Sequence, residues 1–517
     1  MRYFWEQGIG DNFLREELRS VIRKHIPDAI IYHEPWRNVI LGKRMIGHDF
    51  AGTWFYCHPD AGSTHMAIEA ILAGCRAAKV SEKFTTSPSI WLYSQRMGPA
   101  RQNWAGVQPT DITLISLHLT FAAKPEFMEL YDISFLLPES KAQFREANTK
   151  SEITRFIRTY ARPLWSAVQK LDRDKNRSAL LISFGTQVFS RSRWGGYGCE
   201  PANIVLDLLW KAQIPTGIVT EETILNGELS RYDRLFLHQN SHMPADVREK
   251  IVQFIKRGGK VYAEGSSPWI KLIPGVRPLE IPVQIISKST FYDIRKGTGF
   301  TADKVYAEQQ RIAGMLRSTI GKEVKNAAES PSTEVFIRSL NKNNSHYIFV
   351  INDRRTFGDY FGKKYKAVYE AGVPQKVRVK VNVPGTVYLY PDGKKLELKN
   401  KECLLQLDRA DCKVLIVYPE EVKNIKLGKV PVFIPGEKAE FNISVLGKSG
   451  KVLKGIQPLR VRLTDPDKKV TEYYTSAENG VLRWAFTPGK NDVSGTWKLS
   501  IRELASGKES SLTFVRK

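Results

Sequence analysis

The spacing of apolar residues changes near residue 333 of this 517-residue chain, and that change constrains the fold more than any other feature. Upstream, amphipathic helical segments alternate with short apolar strands. Downstream, runs such as HYIFVIND and KVRVKVNV alternate apolar and polar residues. Strands alternating with helices predict parallel sheets with right-handed crossovers, whereas a two-residue period with intervening turns predicts antiparallel sheets. We therefore expect a multidomain α/β plus all-β protein.

The first 175 residues carry the strand–helix alternation. The strands predicted there are RYFWE, AIIYHEP (29–35), DFAGTWFY (49–56), SIWLYS (89–94) and FMELYDISFLLP (127–138). A long helix, SEITRFIRTYARPLWSAVQKLD, follows the last of them. These strands are too few for an eight-stranded barrel but match its last five units in order. The region is therefore predicted to be a partial (β/α) barrel.

A second α/β segment starts at RSALLISF (177–184) and has the pattern of a doubly wound, flavodoxin-like unit. The Gly258-Gly259 pair is expected to end its helix in a left-handed cap. Farther on, turns such as Pro391-Asp392-Gly393 predict a β-sandwich, and strands at 8–12-residue spacing from about 425 suggest an immunoglobulin-like sandwich. The predicted domains are 1–175, 176–332, 333–422 and 423–517.

The composition raises the question of polyanionic partners, because 78 basic and 54 acidic residues give a net charge of +24. Nucleic acid and an acidic polysaccharide are the two kinds of partner considered. The basic residues are spread along the chain and alternate with apolar ones, which favours a generally basic surface, with a specific anion site as the alternative. Nucleic acid is therefore not expected as a partner.

Neither a membrane span nor a signal peptide is visible in the sequence. The protein is therefore expected to be cytoplasmic or, if its true beginning is missing, secreted or periplasmic. Five cysteines without a CxxC pair argue against a disulfide scaffold and a structural zinc site. No cofactor is expected.

The segment IPTGIVTEETILNGELSRYDRLFLHQNSHMPADVREKIVQFIKRGGKVYAEG has the order strand, L-S-x-Y-D, apolar strand, helix, G-G, strand. It resembles the class I glutamine-amidotransferase-like domain of family forty-two β-galactosidases and related clan-A glycoside hydrolases. That resemblance implies a preceding TIM barrel, a following β domain, a carbohydrate substrate and a homotrimer formed through this domain. The C-terminal stretch ENGVLRWAFTPGKNDVSGTWKLSIRELASG resembles immunoglobulin-like modules.

Working amidotransferases carry a nucleophilic cysteine, and none follows RLFLHQ here. The residues there are Asn240, Ser241 and His242. Adjacent residues on an extended segment point to opposite sides, so Ser241 and His242 are not expected to form a nucleophile–base contact. Packing and subunit contact are the expected roles of this segment.

A glycosidase needs two carboxyl groups that flank the scissile bond. By the resemblance, Glu6 matches the acid/base position at the end of the fourth barrel strand, and a solvated loop glutamate is the alternative. Glu34 and Asp60 are the candidates for the second carboxylate. The seventh strand, SIWLYSQRMGP, is followed by no acid before Asp111. Three explanations stay open: an acid from another strand substitutes, the enzyme works by inversion, or the barrel is catalytically dead.

Aromatic residues cluster at the predicted strand ends, where a sugar ring can stack on them. The predicted binding residues are Trp5, Trp36, Arg37, Trp54, Tyr56, His58, Trp91 and Trp104. Core packing is the alternative for each tryptophan. His58, Asp60 and His65 lack the fixed spacing of a metal motif, so no metal is predicted.

The leading hypothesis is a glycoside hydrolase, or a fragment of one, acting on an oligo- or polysaccharide. The alternative is a non-catalytic carbohydrate-binding or cell-surface protein with a degenerate barrel. The sequence names neither the sugar nor the linkage.

Overall fold

The chain is a mixed α/β and antiparallel β protein in a computed structural model. The structure describes residues 11–33, 49–55, 62–88, 91–93, 105–107, 110–130, 148–189, 200–238, 240–282, 302–359, 368–431, 433–434 and 436–516. Among these residues, no helix is both long and apolar enough to cross a membrane.

The first elements are helices and strands, as expected. In chain order they are α1 (Asp11–His25), β1 (Tyr32–His33), β2 (Phe50–Phe55), α2 (Gly62–Ala78), β3 (Phe84–Pro88), β4 (Trp91–Tyr93), β5 (Ala105–Val107) and α3 (Thr110–Ala122). No described helix separates β1 from β2, or β3 from β4 and β5. The strands β1, β2 and β3 form a parallel sheet in that order, so neighbours in sequence are neighbours in space. This part of the prediction is confirmed for the described strands.

Two predicted barrel strands differ from the structure over the residues that it describes. The segment 89–94 contributes β4, which pairs antiparallel with β5 and does not join the parallel sheet. Residues 127–130 form no strand, and the rest of the predicted strand 127–138 lies outside the described residues. The parallel strand after β2 is instead β3, with the sequence FTTSP, which lacks the apolar run that identifies a buried strand.

The predicted long helix is present. It consists of α4 (Thr149–Phe156), five π-helical residues (Ile157–Ala161) and α5 (Arg162–Lys170). The short strand β6 (Asp172–Arg173) follows it directly.

A five-stranded parallel sheet forms the middle of the molecule. Its strands are β7 (Ser178–Leu181), β8 (Thr216–Val219), β9 (Arg234–Leu237), β10 (Lys260–Ala263) and β11 (Val276–Pro278), in the spatial order β11-β10-β9-β7-β8. The associated helices are α6 (Phe184–Phe189), α7 (Glu200–Lys211), α8 (Glu221–Leu225), α9 (Ala245–Lys256), α10 (Trp269–Leu272) and α11 (Ala302–Thr319). The strands β7, β8 and β9 are buried on both faces, as in a doubly wound sheet. Gly258, just past α9, has φ +93°, which confirms the predicted left-handed cap.

From residue 328 onward all the described strands pair antiparallel, and this point is close to the predicted change in period. The strands are β12 (Ala328–Glu329), β13 (Val335–Lys342), β14 (Ser345–Asn352), β15 (Arg355–Asp359), β16 (Val368–Gly372), β17 (Gln375–Val381), β18 (Thr386–Tyr390), β19 (Lys394–Leu396), β20 (Glu402–Leu407) and β21 (Cys412–Tyr418). They form sheets ordered β19-β18-β21-β14-β13-β6 and β12-β17-β20, with β15 and β16 as a separate pair. Apolar residues from both larger sheets share one core.

The last strands form one nearly closed antiparallel sheet of seven strands. They are β22 (Val422–Leu427), β23 (Ala439–Gly447), β24 (Ile456–Thr464), β25 (Val470–Glu478), β26 (Val481–Phe486), β27 (Gly495–Glu503) and β28 (Glu509–Arg516), in the order β22-β23-β26-β25-β24-β27-β28. The immunoglobulin-like identity of this region stays a prediction.

The main hydrophobic core runs through all these regions. The helix α5 packs on β24 and β25 of the C-terminal sheet, and Ser166 Oγ lies 2.9 Å from Ser476 Oγ there. The strand β6 adds to the edge of the sheet that contains β13, with Arg173 opposite Leu340. The segments upstream and downstream of residue 333 are therefore packed against each other.

Candidate functional site

Most residues predicted for the sugar site lie outside the described part of the chain. They are Glu6, Glu34 and Asp60 among the carboxylates, and Trp5, Trp36, Arg37, Tyr56, His58 and Trp104 among the binding residues. Trp54 and Trp91 have a described backbone, opposite Ser87 and Val107 respectively. The roles of all these residues stay predictions.

The parallel strands β1, β2 and β3 define the edge where such a site would be built. His33 in β1 lies opposite Ala51 in β2, and Phe55 at the end of β2 lies opposite Pro88 at the end of β3. In sequence, Glu34 and Tyr56 come directly after β1 and β2. Barrels of alternating strands and helices carry their active sites at the carboxyl ends of the strands. Glu34 and Tyr56 come directly after two such ends.

Asp49 fixes the start of this sheet to the preceding helix. Its Oδ1 and Oδ2 each accept a hydrogen bond from the guanidinium of Arg23 in α1 at 2.7 Å, and Oδ2 also accepts the backbone N–H of Ile31 at 2.7 Å. The N–H of Ile31 and the charge of Arg23 lower the pKa of Asp49. Asp49 therefore positions α1 against the starts of β1 and β2 and stays ionised.

Asp111, the first acid after the predicted seventh strand, has a structural environment. It is 5% exposed, its carboxylate accepts the backbone N–H of Gly372 at 2.7 Å, and it lies 3.7 Å from the guanidinium of Arg409. Asp111 therefore ties α3 to β16 and the loop before β21.

His65 is a core residue. Its ring stacks on Trp210 at 4.8 Å, and its Nδ1 accepts a hydrogen bond from Arg338 at 3.0 Å. Complete burial holds the pKa of His65 well below its usual value, so the ring is neutral. Among the described residues, no cluster of three or more His, Cys, Asp or Glu side chains could hold a metal ion.

The order of the five-stranded sheet reverses between β7 and β9, where open α/β sheets bind ligands. Ser183, after β7, donates a hydrogen bond to Glu221, after β8, at 2.7 Å. The same carboxylate accepts the backbone N–H of Phe184 at 2.8 Å. The Glu221 carboxylate therefore accepts hydrogen bonds from the turn that follows β7, at the place where a ligand would bind.

The expectation that Ser241 and His242 cannot touch is wrong. Ser241 Oγ lies 2.9 Å from His242 Nδ1, because this segment after β9 is not a strand and its side chains do not alternate. Both residues are exposed, and the His242 ring packs near Phe189. No described carboxylate bonds to the His242 ring, so the pair lacks the third group that would orient a catalytic base.

His238 and Glu264 form a second contact at these strand ends. Their Nδ1 and Oε1 atoms lie 2.6 Å apart, and the His238 side chain is 4% exposed. The pair joins the loops after β9 and β10 and contains no nucleophile, which favours a structural role.

Sequence reasoning missed a charged cavity of about 430 Å³ between the α/β and antiparallel regions. Its arginines are Arg76, Arg173, Arg231 and Arg338, which come from segments far apart in the chain. No local motif connects these four positions, so no sequence signal could have grouped them.

No protein-family model matches the chain, and no curated protein matches it either. Among solved structures, the chain is similar to the α-L-fucosidase isoenzyme 2 of Paenibacillus thiaminolyticus, with a TM-score of 0.51 and 12% identity over 79% of this chain and 71% of that one. It is also similar to a β-galactosidase from Rahnella sp. R3, with a TM-score of 0.50 and 13% identity over 78% of this chain and 66% of that one. At such identities the similarity shows the fold.

Proposed function

We propose that this chain is a glycoside hydrolase, or part of one, that acts on an oligo- or polysaccharide. The observation that carries the proposal is the similarity of fold, over 79% of the chain, to an enzyme named as an α-L-fucosidase. The second similar structure is named as a β-galactosidase, and the chain spans 66% of it. Both names describe enzymes that cleave glycosidic bonds, and β-galactosidase activity is the first to test.

Glu6 is the proposed acid/base, and Glu34 or Asp60 is the proposed second carboxylate. Glycoside hydrolysis needs one protonated and one ionised carboxyl group on opposite sides of the bond. Glu34 follows β1 directly and Asp60 follows β2 by five residues. Because β1 and β2 are adjacent and parallel, their carboxyl ends open at the same edge of the sheet.

A second candidate function is sugar binding without turnover. The parallel strand after β2 is β3, and the sequence holds no Asp or Glu between Glu82 and Asp111. The end of β3 therefore offers no carboxylate of its own as a nucleophile. This observation favours a non-catalytic carbohydrate-binding protein with a degenerate barrel.

Hydrolysis of a panel of aryl α-L-fucosides and β-D-galactosides, and of natural oligosaccharides, tests the two candidates. Glu6→Gln is expected to lower kcat by about 10²–10⁴-fold while sugar binding persists, because it removes proton transfer to the leaving group. Glu34→Gln and Asp60→Asn identify the second carboxylate in the same assay.

Glu17→Gln, at an exposed position of α1, is the matched control and should leave kcat unchanged. Turnover that is the same in Glu6→Gln and Glu17→Gln contradicts the role of Glu6. Saturable sugar binding with no turnover of any glycoside supports the second candidate instead.

The same proposal includes a homotrimer as the assembly of this protein. A homotrimer through residues 176–332 would give a mass of three times 58.8 kDa in light scattering. An elution as a 58.8 kDa species at all concentrations would contradict it.

A further inference from the structure

The cavity between the α/β and antiparallel regions is not used by the proposed glycosidase. It has a volume of about 430 Å³, and its walls come from α2, the segment around β6, β8 and β13. That volume is in the range of small-molecule sites, and such sites occur preferentially where domains meet.

The cavity is more basic than acidic. Six cationic residues line it, namely Arg76, Arg173, Lys175, Arg231, Lys325 and Arg338. Three carboxylates oppose them, namely Glu69, Glu82 and Asp174. Lys175 and Lys325 are exposed, so the positive charge continues to the side of the cavity that meets solvent.

Three of the arginines surround Glu82. The closest nitrogens of Arg76, Arg173 and Arg231 lie 3.7, 3.7 and 3.6 Å from its carboxylate oxygens. These distances are those of ion pairs and are longer than hydrogen bonds. Glu228 adds a second carboxylate near Arg76 and Arg231, so three guanidinium groups share two negative charges.

Arg76 is fixed in place. Its side chain is 7% exposed, and its buried Nε makes no hydrogen bond but lies 3.5 Å from Glu228 Oε2. Its Nη2 donates to the carbonyl of Ile218 at 2.9 Å. Arg173 is held similarly, because it donates to the carbonyls of Ala123 and Lys124 at 2.8 Å. Groups fixed in this way bind an anion with little loss of side-chain entropy.

Gly217 lies among three polar side chains in the wall of the cavity. A Cβ at this position would lie 3.3 Å from the Tyr232 hydroxyl, 3.5 Å from Asn176 Nδ2 and 3.6 Å from Glu69 Oε2. A phenol, an amide and a carboxylate therefore converge there, and together they donate and accept hydrogen bonds as sugar hydroxyls require.

We propose that this cavity binds a small, hydroxyl-rich molecule that carries one oxyanion. The oxyanion is held by Arg76, Arg173 and Arg231 beside Glu82, and the hydroxyls face Tyr232, Asn176 and Glu69. A sugar acid and a sugar phosphate share this chemistry and fit the volume. The site is separate from the strand ends that follow β1 and β2, and it does not depend on the glycosidase proposal.

Titration calorimetry on the full chain at low salt tests the site, with glucuronate, glucose 6-phosphate, inorganic phosphate and neutral glucose as probes. One of the two acidic sugars is expected to bind with a Kd below about 1 mM, and glucose to bind at least about tenfold more weakly. If glucuronate binds better, the oxyanion is a carboxylate; if glucose 6-phosphate binds better, it is a phosphate.

Two substitutions in the wall of the cavity should change its affinity for the acidic sugar in opposite directions. Glu82→Gln removes a competing charge and should tighten binding by about tenfold, whereas Arg231→Gln should weaken it by about tenfold. Glu126→Gln makes the same change in an exposed ion pair with Lys83 outside the cavity and should have no effect. Gly217→Ala places a Cβ 3.3 Å from the Tyr232 hydroxyl, so it should displace that group and also weaken binding.

The proposal is overturned if neither acidic sugar binds saturably, if glucose binds as well as they do, or if Glu82→Gln fails to tighten binding. Binding of inorganic phosphate as tight as that of both sugars would also overturn it, since the hydroxyl contacts would then contribute nothing. Retained far-UV circular dichroism in each variant excludes misfolding as the cause of any loss.

Discussion

Arg338 and Glu69 form an ion pair across 269 residues of sequence, with the guanidinium Nη2 3.2 Å from Oε1. The side chains are 8% and 4% exposed. The Arg338 guanidinium also lies 4.1 Å from the centre of the Trp210 ring, on which His65 stacks at 4.8 Å. Because Glu69 lies in α2 and Arg338 in β13, this contact joins the α/β part of the chain to the antiparallel part.

Arg338→Met should destabilise the protein by about 3–5 kcal/mol, because it leaves the Glu69 carboxylate buried without its cation. Denaturant unfolding followed by circular dichroism measures the change. Adding Glu69→Gln should recover at least about 1 kcal/mol, since the uncompensated charge is then gone. A double variant as unstable as Arg338→Met alone would show that the lost packing on Trp210 dominates.

The protein should lose stability as the pH falls from 7 to 5, in part through His118. Burial, with the charge of Arg155, lowers the pKa of His118 from 6.5 to about 3. The unfolded chain then binds more protons than the folded one between these two pKa values, so this contribution is present above pH 6.5 and is lost as the pH falls. The loss between pH 7 and 5 is about 2 kcal/mol.

His118→Phe isolates that effect, because phenylalanine can keep the edge-on contacts with Phe156 and Tyr160 and does not titrate. The free energy of unfolding of this variant should depend less on pH than that of the parent, by about 2 kcal/mol over the same interval. Parallel pH profiles of the two proteins would be inconsistent with a neutral, buried His118.

Gly385→Ala should destabilise the protein through a collision of backbone and side chain. Gly385 has φ +137°, and a Cβ there would lie 2.2 Å from the carbonyl oxygen of Tyr418. Gly450 also has a positive φ, +80°, but has no atom within 4 Å of an added Cβ.

Gly450→Ala should therefore show only the backbone cost of about 1 kcal/mol, whereas Gly385→Ala should cost about 1–3 kcal/mol more. Thermal unfolding of both variants measures the difference. Equal melting temperatures would mean that the segment around Gly385 moves to make room.

Ser241 should be chemically unreactive despite its contact with His242. The His242 ring donates no hydrogen bond to a described carboxylate, and both residues are exposed, so the Ser241 oxygen is not activated. A fluorophosphonate probe should label the parent protein no more than Ser241→Ala, as read by intact mass. Stoichiometric labelling that Ser241→Ala abolishes would reveal a nucleophile here.

Much of the local structure could be predicted because its signal is local. The helix Gly62–Ala78, the strand Arg234–Leu237 and the cap at Gly258 follow from apolar spacing and from a glycine that tolerates a positive φ. The strand Phe84–Pro88 was missed because its threonines, serine and proline carry no apolar run. Its place in the sheet depends on pairing with Phe50–Phe55.

For the candidate sites, too, some positions could be inferred from the sequence and others could not. The positions of Glu34 and Asp60 after parallel strands could be inferred from sequence, because a strand end is a local feature. The convergence of Arg76, Arg173 and Arg231 on Glu82 could not, since these residues lie on separate elements and no spacing relates them.

Apolar periods of 3.6 and two residues specify the type and order of most helices and strands, because each element presents one apolar face. Which of these faces meet depends on packing between distant segments. That packing places α5 on the C-terminal sheet, β6 beside β13, and Arg338 on Glu69. Such contacts join residues more than a hundred positions apart, and they form because burying the apolar faces together brings the charges into reach.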